Sequence, residues 1–563
     1  MKKIVKYTFL LWMVVLLGAC SDSFLDTESY TKKDDSNFPL TPKDADQSLT
    51  AIYAAMAAID KSQTPFLLGE VMSDDRFGGG GTDNSHIQAV CRFKKVNENM
   101  FSGAWHRYYR GVYRCNSLLQ SLEQIAWTDD TQRAKIESET RFMRAYFYFD
   151  LARLFGAVPL VLEPVPQNIP RTPADRIFAQ IGADLKFAIE HFSSDIFQDI
   201  PKTELGHATK WAAEGLMART FLFYTGYYTK ESLPLPDGGS VSKNDVIGWV
   251  DDCVANSGHG LTPDFRNLWP YALASDVYKY AKDNNLDWIG EDGDNIETVF
   301  AEKHSALGNW DDWENGGGYS NVINCYFGLR VQDYKKTLPY GEGWGFAPVN
   351  SKLWDDWPND DIRKKASILN VNDKNEIAGF TWGGDRQMEE TGYWQKKYMP
   401  INIVDDDGNP MNYSVLWYNA VNDFMLNNTQ DLVLIRFADI LLMGAELGST
   451  HAQEYLDRVR NRAGLPSVAP TLDNIKQERH YELAFEGVRY YDLLRWHDER
   501  LITQNQQNIQ VMNNKVAGTV TVEFRSETGG FLQIPQQQIA LSNGVLVQSP
   551  GWPSGAENMY SIK

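Results

Sequence analysis

Glu478, Glu482 and Glu486 recur every four residues, a spacing that places three carboxylates on one face of a helix. A pair of carboxyl groups, one protonated and one ionised, is what glycoside hydrolysis requires. Arg479, Arg489 and Arg495 lie in the same stretch, and Asp492 continues the pattern. Arginine partners keep carboxylates ionised, whereas a general acid needs its pKa raised. The stretch therefore reads as a structural ion-pair cluster, and no residue is assigned a catalytic role. The nine histidines form no HExxH, and neither a GxSxG elbow nor a phosphate-cradling loop occurs. The acidic runs "DDDGNP" (Asp405–Pro410) and "EDGDN" from Glu291 lack the alternating ligand spacing of an EF-hand and read as turns. No cofactor is implied, and no metal ligands are assigned; a structural calcium ion is left open.

Binding chemistry is better represented. In "SALGNWDDWENGGGYSN" (Ser305–Asn321), Trp310 and Trp313 sit among Asn309, Asp311, Asp312 and Glu314, and Tyr319 follows three glycines. Aromatic faces suit the apolar face of a sugar ring, and carboxylates, amides and guanidinium groups suit its hydroxyls. A second candidate is "SDDRFGGGGTDNSH", with Asp74, Asp75, Arg76 and Asn84 around four glycines. Trp344, in "GEGWGF", is a weaker third. Each tryptophan also has a structural reading, as a plug folding its loop back on the scaffold.

The elements that would position these groups follow from the rest of the chain. Its 563 residues exceed one small core, so one large fold or two interlocked domains are expected. A net charge of -20 excludes nucleic acid as a partner, because phosphates would be repelled over the whole approach. Lys2, Lys3 and Lys6 precede an apolar run from Phe9 to Leu17 and then Gly18-Ala19-Cys20, the order of a secretory signal. No later segment is long and apolar enough to cross a membrane. The four remaining cysteines, Cys91, Cys115, Cys253 and Cys325, lack CxxC pairs; two disulfides or buried thiols are both open. Residues 21–45 are polar and read as a tether. "DADQSLTAIYAAMAAID", "ESETRFMRAYFYFDLARLFGAVPLV" and "HATKWAAEGLMARTFLFYTG" carry helical periodicity, the second ended by Gly156 and Pro159 and the third near Gly226. Paired helices of this kind suggest tetratricopeptide packing, although no clean repeat period is visible. Residues 227–430 are rich in Gly, Asp, Asn, Pro and Trp, the composition of ordered binding loops; helices return after 430.

Taken together, "CSDSFLD", "RFMRAYFYFDLARLFGAVPLV", "ATKWAAEGLMART", "LIRFADILLMGAEL", "YLDRVRNRAGLP", "ERHYELAFEGVRYYDLLRW" and "IPQQQIALSNGVLVQSPGW" resemble the SusD/RagB family of surface lipoproteins, in that family's order. The resemblance implies a mainly α SusD-like fold, with four tetratricopeptide-like helix pairs as scaffold and ligand-binding loops that are long and irregular. It divides the chain into a signal peptide (1–19), an acylated N-terminus and tether (20–45), an N-terminal helical region (46–230) and a C-terminal region (231–563) packed on it as one unit. Cys20 follows a lipobox-like Leu-Gly-Ala and would carry the lipid, holding the protein at the outer membrane on the cell surface. Asp22 and Asp26 look like the family's export signal. The implied function is non-enzymatic: capture of oligosaccharides or polysaccharides, with the glycan ligand passed to a SusC-like TonB-dependent transporter. Within the family the alternative is peptide capture of the RagB type; from other classes, a surface glycoside hydrolase or a helical scaffold without a small ligand. The tail departs from the family pattern at Gln548-Ser549-Pro550-Gly551-Trp552. The Gly78–Gly81 run and residues 304–320 are particular to this chain, so ligand identity is not carried over.

Overall fold

The computed structural model describes residues 38–57, 61–290, 295–310, 319–330, 337–377, 380–384 and 386–553. Among them, eight helices build the scaffold: α1 (Pro42–Ala57), α2 (Ser102–Ser121), α3 (Asp130–Phe155), α4 (Ala174–His191), α5 (Lys210–Tyr227), α6 (Lys243–Asn256), α7 (Phe437–Leu447) and α8 (Ala452–Arg462). Each packs on the next, and α1, α3, α5 and α7 also pack on one another in sequence. That is the contact pattern of stacked helix pairs, four in this chain. The repeat is hard to see in the sequence because residues 257–436 separate the third pair from the fourth.

Local chemistry sets the ends of these helices. Asp129 caps α3 by accepting from the Thr131 amide, Thr209 caps α5 through Ala212, and Ser242 and Asp245 form a reciprocal capping box on α6. Gly156 closes α3 at φ +70, where a side chain would also meet the Phe531 ring. The α5–α7 contact needs a glycine for a different reason. A Cβ on Gly215 would stand 2.6 Å from Ile440 Cδ1, so the two helices approach only because it is absent. Both faces of α3 and α5 are buried, which explains why their apolar residues run continuously rather than as a stripe.

Two strands, β1 (Thr298–Glu302) and β2 (Leu432–Arg436), pair antiparallel with bulges and bring the ends of the irregular segment together. Phe300 on β1 meets Phe142 and Tyr146 of α3 edge to face, which fixes this neck on the scaffold. Residues 303–431 are thus an excursion that leaves and re-enters through one ladder, with a Lys303–Asp431 ion pair at its mouth. Beyond α8, α9 (Leu472–Glu482) packs on α7 and α10 (Arg489–Arg495) on α5. The tail folds back on the end of α3, where Leu532 donates to the Leu154 carbonyl and the Trp552 indole to that of Phe531. Cys91, Cys115, Cys253 and Cys325 are all buried free thiols.

Candidate ligand-binding site

The three glutamates of the C-terminal signature are buried and ion-paired, but not with the arginines nearest in sequence. Arg363 donates to Glu478 at 2.6 Å and Glu482 at 3.0 Å while its fork also engages Asp361. Arg436 reaches Glu482 at 2.9 Å and grips both oxygens of Glu486; Lys397 adds a 2.7 Å bond to Glu486. Arg479 turns instead to Asp439 and Asp492, Arg489 to Asp74, and Arg495 to Asp492 and Glu446. Burial opposes ionisation of Glu482, yet Arg462, Arg436 and Arg363 hold its carboxyl well below the usual carboxylate range.

The second candidate loop belongs to the same buried machinery, and two residues assigned to ligand binding are corrected accordingly. Asp74 is 2% exposed and takes a bidentate grip from Arg489, with Asn505 on its outer oxygen. Arg76 is 0% exposed; it donates to Glu70 and to the Ala347 carbonyl, and Phe327 covers its guanidinium. The four glycines serve close backbone packing rather than mobility. Bridges join Arg76 to Val349, Gly79 to Phe346 and Gly81 to Gln387, and a Cβ on Gly78 would stand 2.6 Å from Gln88 Cα. Glycine beside charge reads as a flexible loop, yet it also permits a buried seam. Asn84 lies half-buried at its outer end and accepts from the Gly81 amide, a bond within the turn. Asp74, Asp75 and His480 form a possible three-ligand cluster, but both Asp74 oxygens are already committed and His480 bonds Asp75 at 2.7 Å.

The aromatic loop has a different character. Trp310 is 49% exposed, and its indole N–H donates to Asp423 Oδ2 at 3.0 Å. Tyr319, also exposed, is tied to the loop's start by Ser305 N–H donating to its carbonyl at 2.6 Å. Asn309 is exposed beside Trp310, its amide donating to the Leu307 carbonyl. Trp313, with Asp311, Asp312 and Glu314, lies outside the described residues, as do residues 291–294 of the "EDGDN" run. The loop is seated on residues 423–431. Gly308 approaches Leu426 so closely that a Cβ would be 2.4 Å from its carbonyl oxygen, and Ser320, Asn321 and Asn428 exchange bonds across the seam.

This seat contributes residues that the sequence reading did not select. The short helix Tyr413–Tyr418 presents Trp417, 51% exposed, and Tyr418. Both rings lie edge-on to Tyr413, which in turn meets Trp288. "YSVLWY" reads as a core segment, because nothing in its pattern says which rings face outward. Arg330 and Glu342 complete the surroundings. Burial raises the Glu342 carboxyl; Arg330 opposes that shift and Asp423 adds to it, so the three charges lie within reach of one another. The Arg330 guanidinium also lies against Gly81, which brings the Asn84 turn toward this region. Trp344 is half-buried, edge-on to Tyr326, and its amide donates to Cys325. It packs against the main hydrophobic core. The Asp405–Pro410 run is the turn joining two short antiparallel strands, its Asp405 carboxylate accepting the Asp407 and Asn409 amides.

Known proteins share this fold. Residues 297–552 match the family model described as "SusD family", and residues 23–222 match one described as "Starch-binding associating with outer membrane". The chain belongs to the SusD-like family. A SusD-like protein of Bacteroides ovatus is 24% identical over 86% of this chain and 80% of its own length. SusD-like protein P2 of Formosa agariphila is 24% identical over 97% and 99%. Among solved structures, a laminarin binding SusD-like protein superposes with a TM-score of 0.71 at 24% identity, covering 91% of this chain and all of the other. Surface glycan-binding protein A from Bacteroides thetaiotaomicron, in complex with laminarihexaose, gives 0.71 at 21% identity over 90% and 99%. Among the described residues no helix is long and apolar enough to cross a membrane.

Proposed function

We propose that this protein captures oligosaccharides or polysaccharides at the cell surface and passes them to a SusC-like TonB-dependent transporter, held at the outer membrane by lipid on Cys20. The observation that carries the reading is Trp310: a half-exposed indole whose N–H is fixed by Asp423, so its face is oriented before ligand arrives. A pre-set ring loses little freedom on binding. Tyr319, Trp417 and Tyr418 add aromatic surface nearby, and Asn309, Asp423 and Arg330 add groups suited to sugar hydroxyls. The glycan-binding structures that share the fold support the same ligand class. A micromolar to millimolar affinity corresponds to about -4 to -8 kcal/mol, within reach of a few stacking faces and hydrogen bonds.

Isothermal titration against laminarihexaose, malto-, xylo- and manno-oligosaccharides tests the reading. At least one glycan is expected to bind the wild type, and Trp310→Ala to weaken it. Peptide binding with no glycan binding would overturn it in favour of RagB-type capture. New reducing ends on incubation would favour a hydrolase. Labelled palmitate entering the wild type but not Cys20→Ala, and co-purification with a TonB-dependent barrel, test the anchor and the partner.

A further inference from the structure

A cavity lies behind the neck, between β1 and the segment 197–209. Phe197, Trp269, Trp288 and Phe300 supply its aromatic wall. Two buried polar groups on that wall are incompletely used. Trp269 is 2% exposed, and its indole N–H has no acceptor among the described residues. His259 is 8% exposed, and Nδ1 faces the Ile296 carbonyl at 2.9 Å. A carbonyl only accepts, so Nδ1 carries the proton, and Nε2 is left as a bare acceptor. Burial lowers the His259 pKa to about 4, which keeps the ring in that neutral form at physiological pH.

The charges around the cavity are already matched. Lys303 pairs with Asp431, Glu204 with Lys135, and His207 with Glu139. Among the described residues the wall therefore offers neutral polar groups and aromatic faces, and its charged side chains are paired. That combination suits an uncharged ring bearing hydroxyls, one of which donates to His259. A ladder of rings, Trp288 to Tyr413 to Trp417, links the cavity wall to the exposed aromatic surface.

From this geometry we infer a second binding site, distinct from the Trp310 surface, that takes a single neutral sugar ring or the end of a short neutral oligosaccharide. Its ligand class rests on the glycan reading above; its location does not.

The test uses the mature protein with Trp310→Ala and Trp417→Ala combined, which removes the exposed platform. Laminaribiose, cellobiose and maltose are titrated by saturation-transfer NMR and calorimetry, with glucuronate and glucosamine as charged controls. At least one disaccharide is expected to bind this variant. Adding His259→Asn should weaken it about tenfold, because Asn keeps a donor for Ile296 but is too short to place an acceptor where Nε2 stood. Ile200→Trp, which fills the cavity from its half-buried rim, should abolish it with an unchanged melting temperature. Loss of all sugar binding in the platform variant overturns the second site and leaves the first reading standing. Residual binding that ignores both cavity variants also overturns it, as does equal binding of the charged sugars. A wild type that binds no sugar overturns both readings.

Discussion

The C-terminal signature and the aromatic loop use the same residue types to opposite ends. Around α9, carboxylates and guanidinium groups are buried and paired with one another. Arg436 alone satisfies Glu297, Glu482 and Glu486, and Trp269 lies within 5.9 Å of its guanidinium. At the loop, Trp310, Asp423, Arg330 and Glu342 are partly exposed. A buried charge must be neutralised by its own protein, since desolvation costs several kcal/mol per ion. An exposed one keeps bonding capacity for something else. Whether an acid beside an aromatic ring is structural or ligand-facing is therefore set by solvent access, not by composition. Asp74 and Arg76 make the point within one loop: their sequence context resembles a binding loop, and burial turned them into struts.

That contrast can be broken at either end. Arg436→Ala or Arg363→Ala leaves buried carboxylates unpaired and should cost about 3–5 kcal/mol, read as a collapsed denaturation midpoint. A loss below about 1 kcal/mol would show that the network is not the buttress described. Glu482→Gln should cost about 2–4 kcal/mol at neutral pH, with a particular pH signature. The folded carboxyl is held below its ordinary 4.5, so the stability it contributes is present above that value and lost as pH falls through the lower folded one. Wild type and variant should therefore converge in melting temperature as pH drops below about 4.5, and parallel curves would exclude the linkage. On the loop, Trp310→Ala or Trp417→Ala should weaken glycan binding about five- to fiftyfold while stability changes by no more than about 0.5 kcal/mol. The smallest expected effect is Asp423→Ala, about two- to fivefold in affinity through a freed Trp310 indole. Asp423→Asn, which keeps an acceptor, should restore most of it.

Much of the scaffold was legible from periodicity and end signals. The helices around Leu49, Phe142 and Trp211 appear where their spacing, Gly156 and the Gly226 region place them. The helix pairs became visible as a repeat only in three dimensions, because an excursion of irregular chain interrupts the period. The ion-pair character of Glu478, Glu482 and Glu486 was readable from the density of arginine nearby. Their partners were not, since Arg363, Arg436 and Lys397 arrive from distant segments. Trp310 stood out in the sequence because a tryptophan among acids and glycines is anomalous. The exposure of Trp417 was not legible, because an aromatic in an apolar hexapeptide is not anomalous.

The amino-acid order alone determined the helix boundaries and the charge chemistry of the signature, because capping and periodicity are local properties of the chain. The tertiary structure alone decided which polar groups met water. Burial depends on what distant segments pack above a residue: Arg489 over Asp74 and Phe327 over Arg76, whereas Trp417 stays half exposed.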